Sequence, residues 1–234
     1  MINLIFSPQW FYGKDIVIDC VSMLVLLFIS YFAWQFYKLN KGRKGHILLA
    51  VSFLLMAIAF LFKMLTNFTL YFIESEKKTV GSLILTFQEV HYSDSLFLYG
   101  TIAYRLLTIL GLYLLYSIYY KKQEKSAVFL FIYLFFISVY FTWSAYYIFH
   151  LTALLLLCFI VARLYYNCRM NRDLPARWLL ISFVTIGLSE LFFIFERLAP
   201  ILYVVAEGIQ LVGYVSLLIA FLMVLSYGKK KVKS

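Results

Sequence analysis

Apolar runs of helix length alternate with short polar linkers along almost the whole chain. The runs cover approximately 16–38, 47–71, 96–119, 127–143, 145–166, 178–196 and 201–227. A helix needs about 20 largely apolar residues to cross a hydrocarbon layer of ~30 Å. Each run therefore predicts a membrane-spanning helix. The fourth and fifth form one uninterrupted apolar stretch, 127–166. As a single helix rising ~1.5 Å per residue it would measure about 60 Å, twice the membrane. A reversal near Thr142-Trp143-Ser144 is required, with Trp143 suited to an interface. The expected fold is all-α: one seven-helix membrane bundle over residues 1–234, with no soluble domain.

Composition agrees. The chain is 64% hydrophobic, 21% aromatic and 14% charged. Soluble domains run at about 45–50% apolar and about 25% charged. These figures exclude a soluble enzyme fold, a disordered chain and a disulfide-rich secreted scaffold. Cys20, Cys158 and Cys168 are odd in number and without a motif, and read as small apolar packing residues.

The net charge of +10 changes the picture only through its placement. Fifteen of the 21 basic residues fall in alternate linkers: Lys38 to Lys44, Lys121 to Lys125, Arg163 to Arg177, and Lys229 to Lys233. Glu124 and Asp173 are the acids beside them. Positive charge collects on the cytoplasmic side. The alternation predicts an odd number of spans, the N-terminus outside and the C-terminus cytoplasmic, in a cell membrane. It argues against a nucleic-acid partner, which needs a continuous basic stripe. No cleavable signal peptide is evident before Asp15, and Trp10, Phe11 and Tyr12 suit an interfacial anchor. The long outer linker, 72–95, contains a β-type stretch over Thr79–Phe87 that predicts a small hairpin or surface segment.

A repeat is also expected. Tyr120-Lys121-Lys122 and Tyr227-Gly228-Lys229 close the third and seventh runs alike, and Ser52-Phe53 matches Ser182-Phe183 in the second and sixth. Two parallel three-helix units joined by the fourth helix, 3+1+3, would produce this pattern. The topology can be compared with two known architectures without resembling either in motif. Pro8, Pro175 and Pro200 lie outside or at the edges of spans, so proline hinges of the sugar-porter kind are missing. Residues 201–227 contain no lysine, so no retinal Schiff base of the microbial-rhodopsin kind is expected.

Charges at bilayer depth mark candidate function, because each costs at least ~2.5–3.5 kcal/mol to insert. Glu190 lies about 18 Å from the inner end of its helix, Arg105 roughly 13 Å from the outer end, and Glu207 about 9 Å in. Lys63 and Asp19 also fall in the outer half, with Gln210 a turn deeper than Glu207. Helical spacing groups Met56, Ala59, Lys63 and Asn67 on one face, and Thr101, Arg105 and Thr108 on another. Glu207, Gln210 and Tyr214 make a third, Glu190 and Arg197 a fourth. Lys63 and Arg105 balance Glu190 and Glu207. Such stripes suit either a neutral ion-pair network or a hydrated ligand cavity.

Catalytic motifs of the HExxH, GxSxG and phosphate-loop kinds do not occur. His91 with Glu89 and Asp94, together with His150, offers an incomplete zinc-type set at the outer face. No cofactor and no catalytic residue are expected. The leading expectation is a receptor- or sensor-like module that binds a ligand in its outer half and acts through a partner membrane or cytoplasmic protein. The alternatives are a small-solute or ion/proton transporter and a structural subunit of a membrane complex.

Overall fold

The computed structural model describes residues 7–39, 44–79, 86–120, 125–140, 146–171 and 173–233. Among them are seven α-helices: α1 (Lys14–Leu39), α2 (Lys44–Thr79), α3 (Thr86–Tyr119), α4 (Lys125–Tyr140), α5 (Tyr147–Asn171), α6 (Leu174–Ile194) and α7 (Pro200–Lys233). Six of them are long and apolar enough to cross a membrane. α4, at 16 residues, is shorter than the other six.

Two expectations about the linkers change. The segment 72–95 contracts, because α2 runs to Thr79 and α3 begins at Thr86, leaving only 80–85 outside the described residues. The expected hairpin does not form at its flanks: Thr79, Thr86 and Phe87 are helical. The reversal at Thr142-Trp143-Ser144 lies outside the described residues, between the end of α4 and the start of α5.

The helices pack as a ring. α1 contacts α2, α2 contacts α3, α3 contacts α5, α5 contacts α6, α6 contacts α7, and α7 returns to α1. α4 stands outside, against α3 and α5. The main core runs down the middle of the ring, built from Leu26, Ile29, Phe53, Leu112, Leu115, Phe149, Leu156, Phe183 and Leu217. A smaller cluster of Phe11, Phe193, Tyr203 and Ala206 closes the end at which α1 begins. Phe11 is thus turned inward, while Trp10 is 58% exposed and Tyr12 half-buried.

The outer surface carries many large apolar side chains. Phe28, Leu65, Phe129, Ile181 and Val212 point away from the ring and are exposed. A soluble monomer does not present such a contiguous apolar surface, whereas hydrocarbon chains cover it without penalty. The fold is therefore a helical bundle in contact with lipid.

Two glycines let helix backbones approach closely. A Cβ on Gly111 would lie 2.6 Å from Met56 Cγ and 3.0 Å from the Ser52 carbonyl oxygen. One on Gly213 would lie 2.6 Å from Ile186 Cγ1 and 3.1 Å from its backbone nitrogen. Between membrane helices, where lipid removes the hydrophobic drive for association, such small residues permit backbone-to-backbone packing. They fix α3 on α2 and α7 on α6.

Candidate functional site

Polar residues gather at the end of the ring where α1 and α7 start and α2 and α6 finish. We call it the acidic end. Lys38, Arg169 and Arg177 mark the opposite, basic end. At the acidic end Lys63 Nζ of α2 donates to Asp19 Oδ1 of α1 at 2.8 Å and to Glu207 Oε1 of α7 at 2.7 Å. The lysine side chain is 12% exposed and both acids 0%. Its ammonium also lies over the rings of Phe60 and Phe193, at 5.6 and 5.8 Å. The snorkelling that a lysine stem allows is not used. Its charge is held inward by two carboxylates and two aromatic faces.

A turn nearer the helix start, Asp15 Oδ2 accepts from Asn67 Nδ2 and from the Tyr203 hydroxyl, each at 3.3 Å. Asp15, Asp19 and Ser22 recur at helical spacing on one face of α1, and all three are 0% exposed. That spacing was readable in the sequence. Asp15 was missed because the first run was started one residue after it.

Across the ring, His150 Nδ1 of α5 lies 2.8 Å from Glu190 Oε2 of α6. The imidazole stacks on Phe193 at 5.0 Å and meets the edge of Phe149 at 4.9 Å. Arg105 of α3 is buried, with its guanidinium 5.3 Å from the centre of the Phe149 ring. Glu196, in the connection from α6 to α7, is also buried. Burial pushes its carboxyl up to about 8, against the opposing pull of Lys63 and Arg105.

The expected pairings are thereby redistributed. Lys63, Asp19 and Glu207 come together, while Glu190 takes His150 as its partner. The neutral balance of Lys63 and Arg105 against Glu190 and Glu207 gives way to another grouping: among the described residues Asp15 and Glu196 are buried at this end too, Lys63 is shared by two acids, and His150 serves Glu190. Glu190 and Arg197 do not share a buried face. α6 ends at Ile194, and Arg197 is exposed with its guanidinium 4.2 Å from the Tyr146 ring centre. The stripe of Glu207, Gln210 and Tyr214 forms as expected and is wholly buried. Thr108 of the α3 stripe turns its hydroxyl to the Tyr104 carbonyl within its own helix.

Not every acceptor is satisfied. Among the described residues, Asp19 Oδ2, Ser22 Oγ, Glu207 Oε2 and Gln210 Oε1 are buried without a hydrogen-bond partner, as is Ser7 Oγ. Toward the basic end serine hydroxyls are taken up by helix carbonyls. Ser30 donates to the Ala50 carbonyl at 2.8 Å, Ser52 to the Gly111 carbonyl at 3.0 Å, and Ser182 to the Trp178 carbonyl at 2.7 Å. No group of three or more histidine, cysteine or acidic side chains suited to a metal occurs among the described residues. The side chains of Glu89, His91 and Asp94 lie outside them.

Comparison with known proteins finds no matching family model, no similar curated protein and no similar solved structure. Fold and surface define the class: a multi-pass helical membrane protein.

Proposed function

We infer that this chain is a receptor- or sensor-like membrane module whose acidic end, facing outside, is the input site. Its output passes through a partner membrane or cytoplasmic protein. The observation that carries the reading is the pair of acids around one ammonium at the acidic end: Asp19 and Glu207 share Lys63, and each keeps a second oxygen buried without a hydrogen-bond partner. A structural ion-pair network has no use for uncompensated charge, since each unpaired buried ion is destabilising. An input site for a cationic ligand does. Transport is disfavoured by the other half of the ring, where serine hydroxyls are spent on helix carbonyls and the core between them is apolar.

The orientation and span count belong to the same proposal. Tyr104 packs on Phe149 and, further along, Tyr116 on Phe159, so α3 and α5 run parallel. Ser138, near the end of α4, lies 3.1 Å from Thr152, near the start of α5. The chain returns between two parallel helices along α4, whose 16 residues cover about 24 Å. That favours seven crossings, and the basic linkers then favour a cytoplasmic C-terminus in a cell membrane.

The ring also favours the 3+1+3 repeat. Burial keeps step when α1 is laid on α5, with Asp19, Leu26 and Ile29 on His150, Leu157 and Ile160. It does so for α2 on α6, with Phe53, Met56 and Phe60 on Phe183, Ile186 and Glu190. For α3 on α7, Arg105, Gly111 and Leu115 fall on Glu207, Gly213 and Leu217. In this register Tyr120 meets Leu222, not Tyr227, so the likeness of the two basic ends comes from membrane charge bias.

The test is hydrogen exchange on the full chain in lipid nanodiscs. Sodium, a divalent cation and pH are varied in turn, and amide protection at the helix ends near Lys38 and Arg177 is read. A response at that basic end, lost in Lys63→Met, is expected. Ligand-driven changes confined to the acidic end would overturn the sensor reading. Cation flux in proteoliposomes would replace it with transport.

A further inference from the structure

The two helices that close the ring, α1 and α7, carry matching features where they meet. Each presents a buried acid and, three residues on, a second buried oxygen: Asp19 with Ser22, and Glu207 with Gln210. Residues three apart share a helix face. Lys63 draws Asp19 Oδ1 and Glu207 Oε1 to one ammonium, which brings the two carboxylates together. Their second oxygens, Oδ2 and Oε2, are left without a donor, as are Ser22 Oγ and Gln210 Oε1. The Tyr203 hydroxyl donates to Asp15 at 3.3 Å and also lies within reach of Glu207, but its single proton serves one carboxylate at a time.

Charge and hydrogen bonding are both short here. Two carboxylates around one ammonium leave one negative charge, and four buried oxygens on the two packed helices have no hydrogen-bond partner. Serine and glutamine, at 0% and 2% exposure, are not acidic, so their unpartnered oxygens add a need that the carboxylates alone do not explain.

We propose that the seam between α1 and α7 binds one small monovalent cation of the sodium class, held by Asp19 Oδ2, Glu207 Oε2, the Ser22 hydroxyl oxygen and the Gln210 amide oxygen. All four donors are hard oxygens, which suit alkali and alkaline-earth ions and not the softer transition metals. The charge selects between the first two classes. One positive charge neutralises the group, and a second would compete with the ammonium already in place. Lysine and cation then alternate with the two carboxylates, each carboxylate using one oxygen for each. The proposal identifies the ligand of the input site inferred above, and rests on that reading only for the side from which the cation enters.

The experiment is equilibrium binding of radioactive sodium to the full chain in nanodiscs, at fixed pH and ionic strength with choline as the replacement ion. Thermal unfolding is followed in parallel. The wild type is expected to bind saturably, one ion per chain, and to unfold at higher temperature in sodium than in choline. Ser22→Ala and Gln210→Leu should each weaken binding about ten-fold or more and shrink the sodium-dependent shift. Should Gln210→Leu fail to fold, Ser22→Ala, which removes a single atom, still decides. Absence of saturable binding by the wild type overturns the proposal, as does undiminished binding in Ser22→Ala. A stability that follows pH and ignores sodium overturns it too, assigning the missing charge to a proton. Sodium binding without any exchange response at the basic end would sink the sensor reading and leave the site standing. An exchange response without sodium binding would do the reverse.

Discussion

Two polar clusters share the acidic end, and they solve the problem of buried charge differently. In the first, Lys63 ties α2 to α1 and α7 through Asp19 and Glu207, closing the ring between helices far apart in sequence. In the second, His150 and Glu190 tie adjacent helices α5 and α6, walled by Phe149 and Phe193. The second pair can become neutral by sharing a proton, and neither member has an unsatisfied buried atom. The first sets two acids on one lysine, and the remaining oxygens of both acids are unpartnered. The lesson is one of division of labour: the α5–α6 cluster is satisfied as a structural contact, and the α1–α2–α7 cluster keeps unpartnered oxygens, which is where the proposed cation would sit.

Removing Lys63 should break this comparison most severely. Lys63→Met abandons two buried carboxylates, and losing one member of a buried pair costs about 3–5 kcal/mol. The expected result is a large fall in unfolding temperature in nanodiscs. Combining it with Asp19→Asn and Glu207→Gln should restore much of the loss, because the uncompensated charge goes with the lysine. If the triple variant is no better than Lys63→Met, the triad is not an electrostatic unit.

The two glycine contacts come next, one in each half of the ring. Gly213→Leu forces a side chain into Ile186 and its backbone, and Gly111→Leu forces one into Met56 and the Ser52 carbonyl. Overpacking of this kind costs about 1–3 kcal/mol. The comparison sharpens here, since Met56 is flexible and can retreat while the Ile186 backbone cannot. Gly213→Leu is therefore expected to unfold at the lower temperature of the two. The opposite order would mean that the Ser52 carbonyl is the harder wall.

Glu190→Gln should be milder. It leaves His150 a neutral hydrogen-bond partner of similar shape, so the loss is on the order of 1 kcal/mol. Thermal unfolding of Glu190→Gln beside Glu190→Leu checks this, the second leaving the imidazole buried and unpaired. Equal losses would show that the hydrogen bond contributes nothing.

Much of this architecture was legible in the chain. Run lengths gave the helices, because the bilayer fixes a span near 20 residues and little else competes with that constraint. The stripe of Glu207, Gln210 and Tyr214 followed from helical spacing alone. Pairing was not legible. Lys63 was free to meet any acid at its depth, and only the ring order, α7 beside α1, brings Asp19 and Glu207 to it. From the sequence His150 reads only as part of an incomplete zinc-type set at the outer face, since nothing in its neighbours says that Glu190 and Phe193 enclose it. Arg197 misled for a local reason. Helical spacing put it on the Glu190 face, but the helix stops at Ile194 and the face stops with it.

Glu196 supplies the finest test, because it sits in that same helix ending and belongs to neither cluster. Burial raises its carboxyl from the ordinary 4.5 to about 8. Between those values the folded chain holds a proton that the unfolded chain has released. Stability from this group is therefore fully present below about 4.5, falls as pH rises, and is gone above about 8. Unfolding temperature in nanodiscs should decline across that window by several degrees. Glu196→Gln, which keeps the shape and cannot ionise, should flatten the part of the decline due to this residue and stabilise the chain on the alkaline side. A pH profile identical in wild type and Glu196→Gln would mean that the connection opens and hydrates the carboxyl. The acidic end would then be closed by Phe11 and Tyr203 without help from the α6–α7 connection.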